Sequence, residues 1–249
     1  MRVLITRPRP AATALAAHLA GLGHEAVIEP LLTIVPDPDA RARLAPALEG
    51  AQALLFTSTN GVTSLAAASE RRDLPAFAVG DGTATAARDA GFAEVQTAAG
   101  DVEALTALAA ARLKPENGAL VHASGHVVAG DLAGRLARLG FAVRSVPLYH
   151  AIAAHSLGAA TAAAFRAGEI DAALFFSPRT AATFVRLARA AGIRCGAAVG
   201  VALSAAVAAE LEGLAWRRVV VADVPTEAAV LKAVDRLDAE MRGAGALNS

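Results

Sequence analysis

Few residues of this chain are equipped for chemistry, so each can be followed individually. The 249 residues include one Tyr, one Cys, one Trp and six His. Tyr149 is the sole phenol, and a phenol with a pKa of about 10 can donate a proton at neutral pH. Cys195 follows Arg194, but no base accompanies it, so a buried thiol is expected rather than a nucleophile. His122 and His126 have the four-residue spacing of a helical metal-ligand pair, yet Ser124-Gly125 between them predicts a turn and no metal site. His150 and His155 are expected to be exposed, and Arg138, Arg186 and Arg189 to lie on solvated helix faces. The remaining polar material forms short clusters: Thr57-Ser58-Thr59-Asn60, Gly80-Asp81-Gly82-Thr83, His122-Ala123-Ser124-Gly125, Ser177-Pro178-Arg179-Thr180 and residues 223–226. Such residues cap helices, and helix starts present N–H groups to anions. Anion recognition is the chemistry they offer.

Each cluster directly follows a short apolar run, and this places it. Val3-Leu4-Ile5, Ala53-Leu54-Leu55-Phe56, Phe77-Ala78-Val79, Ala119-Leu120-Val121, Ala173-Leu174-Phe175-Phe176, Ala197-Ala198-Val199 and Val219-Val220-Val221 read as buried strands. Ala-rich segments between them carry helical spacing, as in Leu15, Leu19 and Leu22 ending at Gly23. Short buried strands alternating with helices predict parallel α/β sheets. Residues 243–249 are expected to be a frayed tail.

An internal repeat organises these elements. Shifted by 117 positions, Leu15, Leu19, Leu22, Gly23, Pro30 and Leu31 fall on Leu132, Leu136, Leu139, Gly140, Pro147 and Leu148. Shifted by 120, Leu54, Phe56, Thr63, Val79 and Gly80 fall on Leu174, Phe176, Thr183, Val199 and Gly200, and at 124 Glu103 meets Glu227. The chain reads as two copies of one α/β unit. Two such domains are expected to enclose a cleft at the carboxyl ends of their strands, where open parallel sheets bind ligands. Tyr149 falls opposite Leu32 in the repeat, so the symmetry breaks at the one residue with a phenol.

Composition narrows the ligand. With 23 Lys+Arg against 23 Asp+Glu the net charge is zero, which argues against nucleic-acid binding. One Cys excludes an intrachain disulfide framework. The 55% hydrophobic fraction comes mainly from 67 Ala; the longest uncharged run, 145–165, contains Pro147, two His and Gly158 and makes no membrane span. The N-terminus enters a strand at once and Pro8 and Pro10 break any signal sequence, so a cytoplasmic protein is expected, and nothing requires more than a monomer. Gly80-x-Gly82 lacks the third glycine of a dinucleotide site, and the chain has no phosphate-loop motif and no Gly-x-Ser-x-Gly elbow. The absence of every strong cofactor signature favours chemistry intrinsic to the substrate.

An ordered series of motifs now resembles one family. Val3-Leu4-Ile5-Thr6-Arg7-Pro8, Leu22-Gly23-His24 with Pro30-Leu31, Phe56-Thr57-Ser58 with Asn60-Gly61-Val62, and Ala78-Val79-Gly80-Asp81-Gly82-Thr83-Ala84 are similar to those of uroporphyrinogen-III synthases. So are Val146-Pro147-Leu148-Tyr149, Phe176-Ser177-Pro178 with Thr180, and Pro225-Thr226-Glu227, in the family's order over about residues 2–235. The resemblance implies two similar α/β domains, 1–35 with 150–249 and 38–147, joined by a two-stranded connection through Pro36-Asp37-Pro38 and residues 149–155, with the active-site cleft between them. It implies conversion of hydroxymethylbilane, a polycarboxylate linear tetrapyrrole, to uroporphyrinogen III with loss of water and inversion of ring D, without cofactor. The alternative is a non-catalytic tetrapyrrole-binding regulator of the same fold; such regulators carry an added DNA-binding or receiver segment, and the enzyme is the expectation here.

The resemblance also implies site residues. Tyr149 stands where the family places a Tyr able to hydrogen-bond the departing hydroxyl, although an aromatic anchor for the connection would use the same residue. Ser58, Thr83 and Ser177 match cleft-lining positions, where each would also cap a helix. Arg7, Asn60, Ser124, Gly125, Arg179, Ser204 and Thr226 complete the expected substrate-binding set. Departures exist: Leu203-Ser204 replaces a Thr-Thr pair, Asn60 stands where some relatives carry Arg, and Cys195 where some carry Lys.

Overall fold

The computed structural model describes residues 1–98, 100–128 and 130–246. Its strands are β1 (Arg2–Ile5), β2 (Glu25–Ile28), β3 (Leu32–Pro36), β4 (Ala51–Phe56), β5 (Ala76–Ala78), β6 (Val95–Thr97), β7 (Ala119–Gly125), β8 (Val143–Ala153), β9 (Ala172–Phe175), β10 (Cys195–Ala202) and β11 (Trp216–Val221). Its helices are α1 (Arg9–Gly21), α2 (Ala40–Leu48), α3 (Thr59–Ala68), α4 (Asp81–Asp89), α5 (Val102–Arg112), α6 (Leu132–Arg138), α7 (Ala159–Arg166), α8 (Pro178–Ala190), α9 (Ala205–Leu211) and α10 (Glu227–Ala246). Two compact units result, Met1–Thr33 with Ile152–Ser249, and Ile34–Ala151. The chain passes from the first to the second within β3 and returns within β8, and these two strands are neighbours in one sheet.

The first unit holds the sheet β11-β10-β9-β1-β2, with every adjacent pair parallel. Strand alternation sends Val3, Ile5, Ala172 and Leu174 to one face, where α1 and α10 cover them with Leu15, Leu19, Val230 and Val234. Leu4, Ala173 and Phe175 point to the other face, against Phe165 of α7, Phe184 of α8 and Leu211 of α9. Both faces are buried, which explains why the strands read as unbroken apolar runs.

The second unit repeats this plan. Its sheet runs β6-β5-β4-β7-β8, extended at the β8 edge by β3. Leu54, Phe56 and Val121 face α2, α3 and α4, while Leu55, Phe77 and Leu120 face α5 and α6. The repeat maps β7 and β8 onto β1 and β2, and β4, β5 and β6 onto β9, β10 and β11. Under that mapping the two strand orders are identical. Each sheet therefore takes strands from both copies of the repeat. The corresponding helix-ending glycines, Gly23 and Gly140, both adopt positive φ, +80° and +89°, a conformation that side chains with a Cβ resist.

Two local expectations, the turn at Ser124-Gly125 and the tail, need correcting. The strand read as Ala119-Leu120-Val121 continues to Gly125, so Ser124 and Gly125 lie in β7 and not in a turn. Their partners on β8, Pro147 and Tyr149, override the turn preference. The expected crossing at 149–155 contains the boundary between the two units, Ala151 to Ile152, which lies within the long strand β8. The expected tail at 243–249 is helical as far as Ala246, and 247–249 lie outside the described residues. No helix among the described residues is long and apolar enough to cross a membrane.

Candidate functional site

In each sheet the order reverses direction once, between β9 and β1 in the first unit and between β4 and β7 in the second. Open parallel sheets bind ligands beyond the carboxyl ends of strands at such a reversal, because the following loops diverge there. Arg7, Ser58, Asn60, Ser124, Gly125, Ser177 and Arg179 lie on or directly after the strands at these two places, whereas Thr83, Ser204 and Thr226 follow β5, β10 and β11 farther out in the sheets.

In the second unit, β4 ends at Phe56 and α3 begins at Thr59. Ser58 lies between them in extended backbone and caps α3, its Oγ accepting the Gly61 N–H at 3.2 Å. The same Oγ lies 3.1 Å from the Tyr149 hydroxyl. Tyr149 stands opposite Gly125 in the β7–β8 register, and its carbonyl accepts the His126 N–H at 3.0 Å. The phenol ring lies directly on Gly125: a Cβ there would come within 2.9 Å of Cε2 and 3.0 Å of Cζ. Only glycine leaves room for the ring. Tyr149 itself is buried, 8% exposed, with the Val146 and Leu148 cluster around it.

Beneath this seat, His122 is buried in β7 with Nε2 3.1 Å from Thr57 Oγ1. Burial without a countercharge lowers its pKa from 6.5 to about 4, so the imidazole is neutral at pH 7. Of the other expected residues in this unit, Asn60 is half-buried in the first turn of α3, Thr83 is buried in the first turn of α4, and Ser124 is buried in β7.

In the first unit, Thr6 follows β1 and donates to the Leu174 carbonyl of β9 at 2.7 Å, closing the reversal point. Arg7 places its guanidinium 4.4 Å over the Phe176 ring and pairs with the Glu227 carboxylate at the start of α10. Ser177 caps α8, its Oγ accepting the Thr180 N–H at 3.2 Å and meeting the Thr180 hydroxyl at 2.8 Å. Arg179 lies exposed in the first turn of α8. Ser204 precedes α9 in extended backbone, and its carbonyl accepts the Val207 N–H at 3.1 Å. Thr226 Oγ1 accepts the Ala229 N–H of α10 at 3.2 Å.

The structure thus groups Tyr149, Ser58 and Gly125 at one reversal point, and Arg7, Phe176 and Ser177 near the other, with Glu227 added. Glu227 is visible in the sequence through the Pro225-Thr226-Glu227 motif and its match to Glu103 in the repeat, but not as a partner of Arg7, which lies 220 positions away. Cys195 is buried, and desolvation pushes its thiol up to about 12, which suits a structural role. Arg186 and Arg189 are exposed, as expected, and tie down the carbonyls of Ala154 and Gly213 at 2.9 Å each.

These features define a duplicated, doubly wound α/β protein with hydroxyl-capped helix starts at both sheet reversals. The chain belongs to the uroporphyrinogen-III synthase family: the family model described as uroporphyrinogen-III synthase HemD matches residues 13–232. That family is a cyclising lyase of heme biosynthesis. Among solved structures, a mutant uroporphyrinogen III synthase from Thermus thermophilus is similar at 18% identity and a TM-score of 0.60, covering 96% of this chain and 99% of that one. Uroporphyrinogen-III synthetase from Helicobacter pylori is similar at 18% identity and a TM-score of 0.61, over 95% of this chain and 100% of that one. Both share the fold. No curated protein matches the chain in a sequence search.

Proposed function

We propose that this chain cyclises hydroxymethylbilane to uroporphyrinogen III with Tyr149 as the proton donor to the departing hydroxyl. The observation that carries this reading is the Tyr149 hydroxyl 3.1 Å from Ser58 Oγ, with its ring seated on Gly125. Ser58 Oγ accepts the Gly61 N–H and keeps its own proton, which in this reading it donates to the phenol oxygen. The phenolic proton is then directed outward, and the charge developing on the Tyr149 oxygen is met by Ser58.

Loss of the protonated hydroxyl as water leaves an electrophilic azafulvene, whose methylene carbon is attacked by the substituted carbon of ring D. The resulting spiro intermediate fragments and recloses with that ring inverted. The protein's further task is to hold the chain so that this closure outruns direct closure, a matter of positioning. The substrate carries eight carboxylates, and a chain of zero net charge must meet them locally. The starts of α3, α4, α8 and α9, with Asn60, Thr83, Arg179, Ser204 and Thr226 beside the strand ends, supply N–H groups and hydroxyls for that purpose. Arg7, paired with Glu227 and partly exposed, adds a positive charge. The reading takes the enzyme as a cytoplasmic monomer.

The test is to feed enzymatically generated hydroxymethylbilane to the pure protein and resolve the oxidised porphyrins by isomer. Isomer III in excess of the spontaneous background is expected. Isomer I alone contradicts the reading and returns the chain to the class of tetrapyrrole-binding regulators.

A further inference from the structure

Back to back with the Tyr149 seat is a cluster that the cyclisation does not use. Asp37 follows β3 and is buried, its side chain 6% exposed. Its Oδ1 is engaged by Arg43 Nη2 at 2.5 Å and by the Asp39 N–H at 2.9 Å. Its Oδ2 faces two imidazoles: His126 Nε2 at 2.5 Å and His150 Nε2 at 3.5 Å. The two rings stack nearly parallel, centroids 3.8 Å apart and planes 10° from each other. Both therefore present Nε2 to the same carboxylate oxygen.

We propose that Asp37, His126 and His150 bind one divalent d-block cation of the zinc type. One donor atom from each residue lies within 4.8 Å of the others. Zinc bonds to imidazole and carboxylate of about 2.0–2.2 Å place tetrahedral ligand atoms roughly 3.3 Å apart. The His150–Asp37 distance of 3.5 Å is within about 0.2 Å of that value. The His126–Asp37 distance must open by about 1 Å on that geometry, and His126 lies in an exposed bend after β7 that can supply the movement. Two nitrogens and one oxygen select zinc, cobalt, nickel or copper over magnesium and calcium, which take oxygen donors.

The surroundings are those of a prepared ligand set. The same Arg43 Nη2 also donates to the Pro147 carbonyl at 3.2 Å, which holds that nitrogen against Asp37 and orients the carboxylate. With Oδ1 occupied by Arg43 and Asp39, Oδ2 is the oxygen turned to the imidazoles. The ion would tie together the end of β3, the end of β7 and β8. His126 and His150 each directly follow a residue of the Gly125–Tyr149 pair, so the ion also fastens the strands that carry the seat.

Isothermal titration of chelator-stripped protein with zinc chloride tests this. One zinc per chain is expected for the wild type, with affinity reduced tenfold or more in His126→Ala and in His150→Ala. His155→Ala, an exposed histidine outside the cluster, should bind like the wild type. Both cluster residues are exposed, so their removal leaves the core intact; a thermal midpoint that zinc raises in the wild type and leaves unmoved in the His126→Ala/His150→Ala double variant is the second readout. Absence of zinc binding by the wild type at tenfold excess, or undiminished binding by the double variant, overturns the assignment.

Discussion

The Tyr149 ring rests on Gly125 across one strand pair, so the sole phenol of the chain is placed by a residue without a side chain. The seat is backbone, and backbone within a sheet moves little. From it the hydroxyl reaches Ser58 on the neighbouring loop.

Gly125→Ala should therefore displace the ring. The added Cβ meets Cε2 at 2.9 Å and Cζ at 3.0 Å within paired strands that cannot both give way. Overpacking of this kind costs about 1–3 kcal/mol. Denaturant unfolding should register that loss, and kcat should fall while the circular dichroism spectrum is retained.

Ser58→Ala removes the α3 cap and the partner of the phenol together. Loss of the cap costs about 1 kcal/mol. Turnover should fall beyond what that destabilisation explains, and Ser58→Thr, which keeps the hydroxyl, should restore most of it.

His122 predicts a pH dependence of stability. Its pKa is about 4 in the folded chain against 6.5 ordinarily, so between these values the unfolded chain binds the extra proton. Stability from this group is present above pH 6.5 and is lost as the pH falls to 4. The difference corresponds to about 3 kcal/mol at 1.36 kcal/mol per unit. In His122→Gln this contribution vanishes, so the stability gap between wild type and variant should narrow by that order from pH 6.5 to 4.

Glu227→Gln should release Arg7 for substrate carboxylates. The pair is partly exposed, its side chains 19% and 36% accessible, and such pairs hold each other by about 1 kcal/mol or less. The expected result is a KM lowered by roughly two- to fivefold with kcat unchanged. A raised KM would mean that Glu227 positions Arg7 rather than competing for it.

Much of the fold was legible because both sheet faces are buried. Val3-Leu4-Ile5 and Ala173-Leu174-Phe175 need to be apolar at every position, and that pattern survives in the sequence. The duplication was legible through Leu-Gly and Pro-Leu pairs that Ala-rich composition does not produce by chance. The end of β7 was not legible. Ser124-Gly125 has turn chemistry, and only pairing with β8 and the space required by Tyr149 make it strand. The caps Ser58, Ser177 and Thr226 could be placed from local sequence, since a cap bonds only three residues ahead. Long-range partners could not. His126 was paired with His122 by spacing, whereas the fold sets it beside Asp37, 89 positions away, and against His150.

The most direct test of Tyr149 as the proton donor is isomer-resolved turnover of Tyr149→Phe. The phenyl ring still fits on Gly125, so positioning is kept while the proton is removed. A fall in kcat of about 10²-fold or more, the usual contribution of a general acid, is predicted, with the remaining enzymatic product still isomer III. Undiminished turnover would contradict the account and leave Tyr149 as an anchor of β8; a shift of the product to isomer I would make it a positioning residue instead.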